Sequence, residues 1–220
     1  MTPTTSIPGY RINEYLLVLD PPQDLWQKIM KIKEGFADKY KNEIAKYTKP
    51  HITLINWVGL ELMEERMIQR LQTISMGFTP FKVELKDYGS FPSHTIFINV
   101  TSKVPIQALV KEMKQAQKLM TLDKDNKAHF IETPYISICR KLKPWQYEEG
   151  WLEFSHRQFT GRFIAESMLL LKRTAGEKVK FQIAKRFQFQ NLPVVTKQGN
   201  LFGPLSPAEA RQAPVGALRL

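Results

Sequence analysis

Tyr15-Leu16-Leu17-Val18-Leu19 is a short apolar run closed by Asp20-Pro21-Pro22, which predicts a buried strand, then an N-cap and a proline start to a helix. Leu25, Ile29, Ile32, Phe36 and Tyr40 recur at helical spacing with lysines between them, so an amphipathic helix is expected to about Ile44. Lys49 to Asn56 is β-type, with Ile52 and Leu54 on one face and His51 and Thr53 together on the other. Leu60, Met63, Met67, Leu71 and Ile74 predict a second helix whose Met and Leu stripe reads as core. Phe81 to Leu85 alternates, Gly89 to Ser93 supplies turn residues, and Ile96, Ile98 and Val100 alternate again, which reads as a hairpin. The first half is thus β-α-β-α-β-β.

Ile106, Leu109, Val110, Met113 and Met120 mark a third helix, followed by a charged loop from Leu122 to Asn126. A strand at Tyr135 comes next, and Lys143-Pro144 opens a short helix with Tyr147, Trp151 and Phe154 inward. Two more strands, near Arg162 to Lys172 and Lys178 to Phe189, are joined by Thr174-Ala175-Gly176-Glu177. The expected fold is α+β: two pseudo-symmetric lobes of mostly antiparallel sheet, helices packed outside, around a central cleft. One domain is expected over residues 1–189, with lobes of about 10–100 and 101–189 between which strands can exchange. Residues 190–220, rich in Pro, Gly and Ala, read as a loosely ordered tail.

Pro50-His51-Ile52-Thr53-Leu54 has a near copy in Pro134-Tyr135-Ile136-Ser137-Ile138. Ring and hydroxyl recur at the same offset, which reads as matching strands presented to a shared groove. Only the first ring is a histidine. The other three histidines lack the pattern: His94 has its hydroxyl on the adjacent residue, His129 has none two residues on, and His156 reads as surface beside Arg157.

The formal net charge of +11 points to a polyanionic partner, nucleic acid or nucleotide. With 43% apolar and 24% charged residues the chain reads as an ordinary globular protein. Its one cysteine, Cys139, leaves no intramolecular disulfide framework and sits in an apolar strand as a small hydrophobe. No signal peptide and no run of membrane-spanning length is found, so a cytoplasmic location is expected. There is no GxxxxGK[ST] phosphate loop, GxSxG elbow, HExxH or CxxC spacing.

With these motifs the chain resembles the two-histidine phosphoesterase superfamily, the 2'-5' RNA ligase-like and cyclic phosphodiesterase proteins, whose signature is two H-x-[ST]-x strands facing across a cleft. The resemblance runs from Tyr15 to Phe189 and includes Gly89-Ser90-Phe91-Pro92 ahead of a strand. The second motif departs from the family pattern, with Tyr135 where the second histidine belongs. The resemblance implies cleavage of a 2',3'-cyclic phosphate, or joining and breaking of a 2'-5' linkage, by a base and an acid without metal or cofactor. A histidine serves either role because its usual pKa of about 6.5 lies near working pH. A phenol, with a usual pKa of about 10, donates a hydrogen bond or a proton but is a poor base. The resemblance therefore implies His51 as base, Tyr135 as acid or phosphate donor, and Thr53 and Ser137 on the phosphate oxygens. Arg140 and Lys141 are candidate phosphate cations, and Phe91 a candidate for stacking on a base. The expected partners are RNA or nucleotide phosphate ends, with no membrane and a monomeric protein. Three readings stay open: a phosphodiesterase with a weakened acid-base pair, an inactive RNA- or nucleotide-binding module with a degenerate site, or a structural or partner-binding protein whose cleft is filled by its own side chains.

Overall fold

The computed structural model describes residues 9–177 and 179–192. The expected tail at 190–220 lies, from residue 193 on, outside them. Among the described residues nine strands form one sheet in the order β7-β3-β4-β6-β2-β1-β8-β9, with β5 alongside β2. They are β1 (Ile12–Leu19), β2 (Ile52–Leu60), β3 (Phe81–Phe91), β4 (Thr95–Val100), β5 (His129–Phe130), β6 (Tyr135–Arg140), β7 (Thr160–Ala165), β8 (Ser167–Thr174) and β9 (Gln182–Gln188). Every observed pairing is antiparallel.

Helices α1 (Gln23–Tyr40), α2 (Glu43–Tyr47) and α5 (Pro144–Phe154) cover the half that holds β4 and β6. Helices α3 (Glu64–Met76) and α4 (Lys103–Met113) cover the half that holds β2 and β9. The halves of the sheet are not the halves of the chain: β3 and β4 join β6 and β7, while β8 and β9 return to β1 and β2. The two halves meet at one ladder pair, Ile52 with Ile136, both fully buried under the helices. Truncating either to Ala should cost about 2–5 kcal/mol, through lost burial and the cavity left behind.

Several elements differ from their sequence reading. The first helix ends at Tyr40, because Lys41 turns left-handed with φ 51° and Asn42 caps a separate helix, accepting from the Ile44 amide. Asp20 is no cap; Pro22 holds that position and Asp20 pairs with Arg186. Leu60 belongs to β2 and Met63 to a 3-10 turn, so α3 begins at Glu64. Gly89 and Ser90 are strand, not turn, and the short β5 beside β2 was unanticipated. Arg162 to Lys172 is not one strand: it breaks at Glu166, with β7 ending beside β3 at one edge and β8 starting beside β1 in the other half.

Candidate functional site

Antiparallel neighbours place directly opposed side chains on the same face. Extending the Ile52–Ile136 pair by one residue each way sets His51 beside Ser137 and Thr53 beside Tyr135. All four side chains therefore lie on the face opposite the helices, and each is half-buried. The alternation that buries Ile52 and Ile136 presents the four polar groups as one patch at the seam.

His51 stands one residue before β2, and its Nδ1 lies 2.8 Å from the carbonyl oxygen of Lys49. A carbonyl can only accept, so Nδ1 carries the proton and Nε2 keeps a lone pair. Burial pushes the imidazole down to about 4, helped by the positive charges of Arg140 and Lys33 and opposed by the Lys49 hydrogen bond. At neutral pH the ring is thus uncharged, in the form that accepts a proton.

His51, Thr53 and Arg140 line one cavity of about 380 Å³, together with Asn56, Lys127 and Arg173. Arg140, at the exposed end of β6, makes no ion pair among the described residues. Arg173 is committed to Glu14 through its Nε at 2.8 Å and lies over the Phe181 ring at 4.5 Å. The cavity thus offers a neutral base, a hydroxyl and a guanidinium open to an anion, a set suited to phosphate.

Tyr135 has a different setting. Its ring packs on Phe97 at 4.9 Å and on Phe91 at 5.3 Å between centroids, and the two phenylalanines lie 4.7 Å apart. Gly89 makes room for this cluster: a Cβ there would stand 2.6 Å from both the Phe97 ring and the Asn99 side-chain oxygen. Phe97 is buried, whereas Phe91 and Tyr135 are half-exposed, so two ring surfaces border the patch. Neither ring lines the His51 cavity, nor do Ser137 and Lys141; Lys141 is exposed in the turn after β6, with φ 56°.

The remaining histidines sit elsewhere. His94 is exposed beside Phe91 with Nδ1 2.6 Å from Thr95 Oγ1; His129 is exposed on β5 opposite Asn56; His156 is exposed after α5. Among the described residues no three His, Cys, Asp or Glu side chains converge as a metal site requires, and no helix is long and apolar enough to cross a membrane.

Two kinds of site residue escaped the sequence reading. Asn56, Lys127 and Arg173 reach the cavity through tertiary folding and carry no local signal. Lys33 did carry one: it falls on the buried stripe of α1 between Ile29 and Phe36, and its side chain is fully buried.

A family model described as the 2'-5' RNA ligase superfamily matches residues 21–177. No curated protein matches the chain. The fold is similar to the LigT protein of E. coli complexed with 3'-AMP, at 14% identity and a TM-score of 0.58 over 82% of this chain and 98% of that one. The same protein complexed with NADP+ gives 15% and 0.54, over 82% and 99%. A structure described as a phosphoesterase gives 13% and 0.51, over 80% and 98%.

Proposed function

Because the chain belongs to the 2'-5' RNA ligase superfamily, we propose that it is a metal-independent phosphodiesterase acting on 2',3'-cyclic phosphate or 2'-5'-linked RNA ends. The observation that carries this reading is that His51, whose Nδ1 is bonded to a carbonyl so that Nε2 keeps a lone pair, lines one cavity with Thr53 and Arg140. In this mechanism His51 Nε2 takes the proton of an attacking water, the water oxygen forms a bond to phosphorus, and one ester bond to ribose breaks. Arg140 and the Thr53 hydroxyl offset charge on the non-bridging oxygens. The leaving ribose oxygen takes a proton from Tyr135 or from solvent. With Tyr135 at the position of the second histidine, the acid arm is the weaker one, and turnover is slow relative to a two-histidine site.

The aromatic cluster favours a second reading. Tyr135 packed on Phe91 and Phe97 forms a surface on which a base can stack, which suits a binding module that has lost its acid. Hydrolysis of 2',3'-cyclic nucleotides and 2'-5'-linked oligonucleotides by the natural chain, His51→Ala and Tyr135→His separates the two. Activity in the natural chain that His51→Ala abolishes supports the enzyme. An inert natural chain that still binds, and that Tyr135→His makes active, supports the module.

A further inference from the structure

Lys33 is a fully buried lysine with no acid against it among the described residues. Its ammonium has three N–H donors, and three acceptors take them: Thr48 Oγ1 at 3.0 Å and the carbonyl oxygens of Ser137 and Ile138, each at 2.8 Å. None is a carboxylate, and Lys33 makes no ion pair among the described residues. A charge buried on neutral dipoles is costly. Burial, with Arg140 adding to it and Cys139 opposing, brings the ammonium down to about 8. The Cys139 thiol is itself pushed up to about 11 by burial, so it is uncharged at neutral pH. An apolar side chain would avoid this cost at a position surrounded by core.

The three bonds land on both motifs. Thr48 lies three residues ahead of His51, on the segment that leads into β2. Ser137 and Ile138 lie at an irregular step of β6: Phe97 pairs with Ser137 and the preceding Ile96 with Cys139, so Ile138 is the extra residue. Such a bulge disrupts the ladder locally, and the Lys33 ammonium occupies the carbonyls there. On its other side β6 is joined to β2 by the single pair Ile52–Ile136. One ammonium therefore spans the seam where regular pairing is thinnest.

We propose that Lys33 is the positioning residue of this site: its buried ammonium ties the lead-in to His51 to the strand that bears Tyr135 and Ser137, and keeps a fixed positive charge behind the patch. Only the benefit to a bound phosphate rests on the proposed function; the tie between the motifs does not. His51 has Lys33 behind it and shares its cavity with Arg140, Lys127, Arg173, Glu14 and Asp125, so the Lys33 contribution must be read against these.

The test uses the full chain with Lys33→Met, which keeps length and removes the charge. Three readouts apply: amide hydrogen exchange over residues 51–54 and 135–138, the NMR titration midpoint of the His51 ring, and affinity for inorganic phosphate. The variant is expected to keep its native circular dichroism while exchange at the seam rises by about tenfold or more. The His51 midpoint should rise from about 4 by a small step, since burial and Arg140 still hold it down, and phosphate should bind several-fold more weakly. A folded Lys33→Met protein with unchanged exchange and an unchanged His51 midpoint overturns the proposal, since a filler residue would leave both where they were. Should Lys33→Met fail to fold, Thr48→Val removes one tether and keeps the charge. Faster exchange over 51–54 then supports the tie, and unchanged exchange overturns it. Absence of phosphate binding in the natural chain would remove the proposed function, while exchange and titration would still decide the role of Lys33.

Discussion

The segments around His51 and Tyr135 share a frame of proline, ring, isoleucine, hydroxyl and aliphatic residue, yet their rings meet different neighbours. His51 is fixed by one hydrogen bond and lines a cavity with Arg140, which makes no ion pair among the described residues. Tyr135 is fixed by ring packing and adds a surface beside that cavity. A strand pair thus delivers the same position twice while the rest of the sheet decides its use. The His51 position carries an imidazole held by a backbone carbonyl, the Tyr135 position a phenol held by two other rings.

The largest test of this asymmetry is His51→Gln, which keeps a polar side chain and removes the base. Turnover of a 2',3'-cyclic nucleotide should fall about 10²- to 10⁴-fold, whereas Tyr135→Phe should lower it far less; equal losses would break the comparison. Thr53→Val deletes a hydroxyl that would bond a charged phosphate, worth about 1.5–3 kcal/mol, so kcat/KM should fall roughly 10- to 100-fold. Phe91→Ala should weaken binding of an oligonucleotide through lost stacking of about 1–3 kcal/mol, and leave the affinity for inorganic phosphate unchanged.

A further test is on stability. The His51 pKa is lowered to about 4 in the folded chain, against about 6.5 unfolded. Between these values the unfolded chain binds more protons, so stability falls as pH drops from about 6.5 to about 4. Chemical denaturation of the natural chain and His51→Gln across that window checks the sign: the natural chain should lose more stability with acid.

The face-by-face chemistry was legible because alternation is local. Ile52 and Leu54 are buried where the two-residue period put them, and His51 and Thr53 share the opposite face. Sheet order was not legible. The run from Arg162 to Lys172 reads as one strand, yet Glu166 is where the chain leaves one edge for the other half, and no local period encodes that crossing. Likewise the left-handed turn at Lys41 follows from where α2 must dock, since lysine has no preference for it. Lys33 was hidden by the rule that lysines between apolar positions are solvated; its place on the apolar stripe was visible, but the acceptors that justify burial come from Thr48, Ser137 and Ile138.

The claim on which the rest depends is that the seam holds phosphate against a neutral His51. It is tested most directly by following the ring nitrogens of His51 by NMR while adenosine 3'-monophosphate is added. The account predicts that the His51 signals shift, that its midpoint rises because a phosphate dianion favours the imidazolium, and that the effect weakens with salt. A His51 ring that keeps both its signals and its midpoint at saturating nucleotide would contradict it.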